Sequence, residues 1–342
     1  MSNYIKKTIA ILLCLILVCS LSGCFSSKKD STSVNGNGLK TITLNEVAHS
    51  IFYAPQYVAI ELGYFKDEGI NLDLVTGFGA DKVMTSLVSG GADIGFMGSE
   101  SSIYVYEEGS PDYCVNFAQL TQRAGNFLVS RNKEDHFKWS DLKGKNVIGG
   151  RDGGMPEMLF EYILKKNDIS PKNDLTIIQN VDFGSTSAAF TSGIGDYTIE
   201  FEPSATLLEQ QNSGYVVASL GTESGYVPYT AYCCKSSYLK AHPEIVQSFT
   251  NAIQKGLDYV NTHSSAEIAE VIAPQFKETD LDTLTTIVDR YNQQDTWKED
   301  TCFNEDSFQL LVDILKDAGK TNAEIPYEKL VTTQYSKEAL QK

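Results

Sequence analysis

HSIFYAPQYVAIELGYFKDEGINLDLVTGFGADKVMTSLVSGGADIGFMGSES, residues 49–101, decides the fold. Residues 55–62 read as a helix, with Pro55 in the first turn, where its missing N–H is no loss. Residues 71–75 (NLDLV) alternate as a strand, and 80–88 return to helical spacing with Asp81 near the start. Residues 93–97 (DIGFM) are a short buried strand. Working outward, 41–47 (TITLNEV) is a strand before this stretch, 99–107 a helix after it, and 115–120 a further strand. Strands alternating with helices predict βαβ units and a largely parallel sheet.

The second half repeats the scheme. Strands are expected at 127–130, 146–148, 175–179, 197–201 and 215–220, with helices at 156–166, 185–191 and 204–211. Ser89-Gly90-Gly91-Ala92-Asp93 and Ser192-Gly193-Ile194-Gly195-Asp196 share the form S-G-x-x-D at an offset of 103 residues. Each follows a helix and precedes a buried strand, a turn and another helix. Matching flanks at one offset predict two similar lobes. Beyond residue 230 the pattern turns helical, at 243–260, 266–276, 281–292 and 305–318. These helices are expected to cover one lobe.

The N-terminus carries an address. Lys6-Lys7 precede an apolar run of 13 residues (9–21) that ends in Leu21-Ser22-Gly23-Cys24. The run is too short to span a bilayer and has the layout of a signal peptide. Its final tetrapeptide resembles the bacterial lipobox, which implies cleavage before Cys24 and lipid on its sulfur, an anchor of two acyl chains. Residues 24–38, polar and rich in Ser, Gly and Asn, read as a flexible tether. Removal of 1–23 leaves a chain long enough for two domains. The net charge of −16 argues against nucleic acid as a partner. Of seven cysteines, Cys114, Cys233, Cys234 and Cys302 remain in the folded part. Cys233 and Cys234 are strand neighbours and point to opposite faces. A disulfide from Cys114 to one of the others fits an extracytoplasmic setting, and nothing in the sequence selects it.

Ligands of open α/β sheets sit beyond the carboxyl ends of the strands. Those ends are 49–53, 77–81 and 98–100 in the first lobe, and 149–154, 182–185 and 200–203 in the second. Glycines and serines recur there at helix starts, which offer backbone N–H groups and a positive dipole end. Asp81, Ser99 and Ser185 are equally placed to cap helices, and Tyr53 and Phe78 to be core. No catalytic set emerges: there is no nucleophile elbow, the four histidines lack metal spacing, and Gly77-Phe78-Gly79 lacks the rest of a dinucleotide fingerprint. No cofactor and no metal are expected.

Residues 49–101 resemble the solute-binding proteins of ABC importers of the nitrate/sulfonate/taurine and thiamine-pyrimidine type. The resemblance lies in the turn Leu62-Gly63-Tyr64-Phe65, the Gly-rich turn before Asp81, and Ser89 to Ile94. The run Gly195 to Pro203, with its aromatic-Glu-Pro turn, resembles the same group, and the likeness covers about residues 40–260. It implies an α/β, two-lobe periplasmic-binding-protein fold of type II, with two crossovers near 121–126 and 221–230. Lobe one would take 39–121 and 230–342, and lobe two 122–229. It further implies a monomeric lipoprotein on the outer face of the cytoplasmic membrane of a Gram-positive bacterium. A small-molecule solute, an ABC permease and an ATPase would be its partners.

The ligand contacts expected on this basis are Ser50, Tyr53, Asp81, Ser99, Glu100, Arg151, Gly154, Glu202 and Tyr229. Three carboxylates, Asp81, Glu100 and Glu202, stand against Arg151 and His49. A sulfonate or nitrate would want converging cations. A nitrogenous aromatic solute of aminopyrimidine type would want carboxylates and aromatic faces. The balance leans to the second, although the start of a thiamine-pyrimidine site differs here, reading His49-Ser50-Ile51-Phe52-Tyr53. The rivals are an anion binder in the same fold, a sensor, and an enzyme like the eukaryotic pyrimidine synthases. Those enzymes carry a tight cysteine cluster, where this chain has only the Cys233-Cys234 pair.

Overall fold

The computed structural model describes residues 38–342. The leader 1–23, the lipidation expected at Cys24 and all of the tether but Gly38 lie outside the described residues. The strands are β1 (Lys40–Glu46), β2 (Ile70–Thr76), β3 (Ile94–Gly98), β4 (Cys114–Thr121), β5 (Asn126–Ser130), β6 (Asn146–Ile148), β7 (Thr176–Ile178), β8 (Tyr197–Phe201), β9 (Tyr215–Ser219) and β10 (Thr230–Lys235). They form two five-stranded sheets, in the orders β2-β1-β3-β10-β4 and β7-β6-β8-β5-β9.

The two sheets match place by place. β1 runs parallel to β2 and β3, and β6 runs parallel to β7 and β8. The fourth strand of each is antiparallel to both neighbours, β10 in one sheet and β5 in the other. These two antiparallel strands are the ones that follow the crossovers. The chain enters the second lobe through β5 and returns to the first through β10. The offset of 103 holds in space, since Ile94–Gly98 maps onto Tyr197–Phe201.

The repeated S-G-x-x-D has a structural cause. Gly90, at φ 82°, ends the preceding helix in the left-handed region. The aspartate then ties two strands together. The Asp93 carboxylate accepts from the Thr43 N–H at 2.9 Å, and the Asp93 N–H donates to the Thr43 carbonyl. Asp196 repeats both bonds with Asn146.

Helices α1 (Ala54–Glu61), α2 (Ala80–Ser89) and α3 (Glu100–Glu107) belong to the first lobe, and α4 (Met155–Lys166), α5 (Thr186–Thr191) and α6 (Ser204–Gln210) to the second. α7 (Pro243–Thr262) buries Phe249, Ile253 and Leu257 along one face, at helical spacing. Expected to cover lobe one, the last helices also reach lobe two. On α8 (Leu281–Gln293), Arg290 pairs with Glu202 at 2.6 Å and Glu209 at 2.9 Å. On α9 (Glu305–Asp317), Asp317 pairs with Lys165 at 2.8 Å. The four cysteines among the described residues are free: Cys234 lies in the main core, and Cys233 packs beside Cys114 in a separate cluster on the other face of β10.

The α7–α1 crossing sets the packing of the first lobe. A Cβ on Gly256 would collide with the backbone carbonyl of Pro55, a group that cannot swing aside. Gly256→Ala should therefore destabilise the fold by about 2 kcal/mol, the usual size of an overpacking penalty. Scanning calorimetry should show the loss as a Tm several degrees lower.

Candidate functional site

The carboxyl ends of the two sheets face a common cleft of about 850 Å³. Tyr53, Asp81 and Glu100 line it from the first lobe, Arg151, Gly154 and Glu202 from the second, and Tyr229 from the return crossover. Each of these was expected from the sequence. Ser50 and Ser99 were expected too and do not line the cleft. The Ser50 hydroxyl donates to the Glu202 carbonyl at 3.0 Å and accepts from the Phe52 N–H, which makes it a tie between lobes. The Ser99 hydroxyl donates to the Pro228 carbonyl. Both hydroxyls are spent on backbone.

Glu202 needs the larger correction. It lines the cleft, but its carboxylate is taken up within the protein. It accepts from the Thr206 N–H and hydroxyl, both at 2.9 Å, and pairs with Arg290. It thus serves the N-terminus of α6, where negative charge is favoured. The Glu202–Pro203 peptide is cis. Across the cleft mouth, Arg151 meets Asp81 at 3.4 Å. The Tyr229 hydroxyl donates to Asn126 at 3.2 Å.

His49 is equally committed. Its Nδ1 lies 2.9 Å from Glu46 and its Nε2 2.9 Å from the Gln275 carbonyl. Both partners can accept, an arrangement that favours the protonated ring. The hydrogen bond to Glu46 pushes its pKa up accordingly. The Glu46 carboxylate is fully buried and also takes Gln56, Tyr57 and Thr76.

Two buried carboxyls in the cleft form no ion pair among the described residues. Glu100 is 2% exposed, and its Oε2 has no hydrogen-bond partner. Burial pushes its pKa up to about 8, against the opposing pull of backbone N–H groups and Arg151. Glu200, also 2% exposed, is pushed up to about 7 by burial. The hydroxyls of Thr186 and Thr198 donate to it at 3.0 and 2.6 Å. The strand-end segment 200–203 was noted from the sequence, but Glu200 was not singled out. The available signal was a charge two residues after Thr198, on the same face of an otherwise apolar strand. Aromatic rings complete the wall. Phe201 lies 6.3 Å from the Tyr229 ring, and Phe78 is 61% exposed with φ at 55°.

The Glu100 shift makes stability depend on pH. Its folded pKa lies above its unfolded one, so its contribution is fully present below about pH 4.3 and is lost as pH rises towards 8. Glu100→Gln should therefore raise the Tm of the solute-free protein at pH 8. Thermal melts across pH should show that gain fading towards pH 4.5; an equal gain at both ends would refute the assignment.

Comparisons with known proteins agree with this architecture. The NMT1/THI5 like family matches residues 51–266. A Bacillus subtilis (strain 168) chain named "Putative binding protein YtlA" is 43% identical over 334 residues, 98% of this chain and 97% of that one. A 4-amino-5-hydroxymethyl-2-methylpyrimidine phosphate synthase from Aspergillus parasiticus is 23% identical over 231 residues, covering 65% of this chain and 66% of its own. The crystal structure of the periplasmic nitrate-binding protein NrtA from Synechocystis PCC 6803 superposes with a TM-score of 0.73 at 16% identity, covering 89% of each chain. The chain belongs to the NMT1/THI5-like family and has the two-lobe α/β fold of the periplasmic binding proteins.

Proposed function

We propose that this protein is the solute-binding subunit of an ABC importer. It captures a flat, nitrogenous aromatic solute of aminopyrimidine type between its lobes and hands it to a membrane permease. In this reading it is a monomer without enzymatic activity, held outside the cell by lipid on Cys24. One observation carries the choice of ligand: the cleft holds two buried carboxyls, Glu100 and Glu200, that form no ion pair among the described residues. Arg151 is taken by Asp81, and His49 by Glu46. A ring bearing N–H donors or positive charge supplies what Glu100 Oε2 lacks. Tyr53, Phe201 and Phe78 offer it aromatic surfaces.

The binder reading is favoured over a pyrimidine synthase because none of the four described cysteines lines the cleft. The second reading, an anion binder, draws support from Arg151 and from the N-termini of α2 and α4, which open at Gly79 and Gly154 on the cleft wall.

The sign of the proton exchanged separates the two. A permanently cationic base requires Glu100 ionised, so binding releases a proton. Its affinity should rise by up to about tenfold per pH unit below pH 8 and level off above it. An anion does the opposite. Calorimetry with thiamine, taurine and nitrate, in buffers of different ionisation enthalpy, reads this directly. We expect thiamine to bind with proton release and Glu100→Gln to weaken it at least tenfold at pH 8. Binding of taurine or nitrate alone, untouched by Glu100→Gln, would sink the base-binding reading.

A further inference from the structure

A second cavity, of about 690 Å³, adjoins the cleft. It opens between α2, α3 and the loop 151–153, and it shares three residues with the cleft: Asp81, Glu100 and Arg151. Met84, Val88 and Val105 give it an apolar floor, and Glu108 stands at its rim. The Tyr104 hydroxyl donates to the Gly153 carbonyl at 3.0 Å and closes one side. Lys320, also on its wall, is held by Asp152 at 2.7 Å.

The two cavities share a wall. It consists of the Asp81–Arg151 pair, two side chains each more than half exposed and 3.4 Å apart, together with the Glu100 carboxyl. An exposed pair of this kind is worth little, of order 0–1 kcal/mol, so displacing it costs little. Glu100, whose buried Oε2 has no hydrogen-bond partner, lines both cavities. With Lys320 and Arg151 already paired, Glu100 and Glu108 are left without an ion pair among the described residues.

We propose that the two cavities form one extended ligand site. The cleft takes the nitrogenous ring. The second chamber takes an arm of the same molecule, apolar along its length and bearing positive charge or hydroxyl groups. The Asp81–Arg151 pair is the partition that swings aside for it. The solute class is thereby narrowed from a bare heterocycle to a heterocycle carrying a substituent of roughly ring size. This inference rests on the reading of the cleft as a base-binding site.

Two probes share one head and differ by the arm. 4-Amino-5-hydroxymethyl-2-methylpyrimidine is a single ring; thiamine carries the same aminopyrimidine joined to a positively charged thiazolium with a hydroxyethyl group. Both are titrated by calorimetry into the full chain and into Val88→Trp and Thr85→Trp. These substitutions lie on the exposed side of α2, with Val88 45% exposed, and they narrow the chamber without entering the core. Circular dichroism checks that the variants fold. In the unmodified protein thiamine should bind at least tenfold tighter than the single ring. Both tryptophan variants should erase that advantage and leave the single ring within about twofold. Equal affinity for the two probes in the unmodified protein, or equal losses for both in the variants, overturns the extended site and leaves the base reading standing. Failure of both probes to bind the unmodified protein overturns the base reading and the extended site with it.

Discussion

A fully buried carboxylate at the end of β1 organises the first lobe's side of the cleft. Glu46 has no access to solvent, and a charge so placed is tolerable only when paired and hydrogen-bonded. Its four partners come from three separate segments: His49 just past β1, Gln56 and Tyr57 on α1, and Thr76 at the end of β2. The network runs further, because Gln56 accepts from the Tyr232 hydroxyl on β10 and His49 reaches the Gln275 carbonyl. Removing one member would strand the others without water. That requirement holds the loop 49–53 in place, and with it Tyr53 at the cleft wall and Ser50 against the second lobe.

The cleft itself divides its charges into two kinds. Glu202 and Asp81 are paired with Arg290 and Arg151, and their roles are architectural or at the mouth. Glu100 and Glu200 form no ion pair among the described residues, and burial holds them protonated to unusually high pH. Perturbed titration in a cleft marks a functional site more often than a structural one. The uncompensated pair, rather than the total number of acids, is what distinguishes this cavity chemically.

Much of the fold was legible because it follows from periodicity. β3 and β8 are short apolar runs preceded by the same aspartate, and the bonds from Asp93 and Asp196 explain why that residue recurs. The helix read at 266–276 ends early, at Ile272, and passes into a 3-10 turn at Ala273–Gln275, where Pro274 cannot continue it. The site was legible only in outline. Strand ends put Asp81, Glu100 and Arg151 at the cleft, since position in the sheet determines where they lie. Which of the polar groups there are already occupied depends on contacts remote in sequence. Arg290, 88 residues from Glu202, occupies that carboxylate, and Pro228 and Glu202 supply the carbonyls that use up Ser99 and Ser50. No local pattern announces such partners.

The reach of α8 and α9 across both lobes bears on motion. The Arg290 fork holds Glu202 and Glu209 of the second lobe from a helix whose other contacts include the turn Ile51–Tyr53 of the first. Lys165 and Asp317 form a second strap on the outer side. Any rotation that parts the sheets must stretch or sever these clasps as well as empty the cleft. The C-terminal segment thus fastens one lobe to the other at points away from the solute cleft, the Arg290 fork being the better buried of the two clasps.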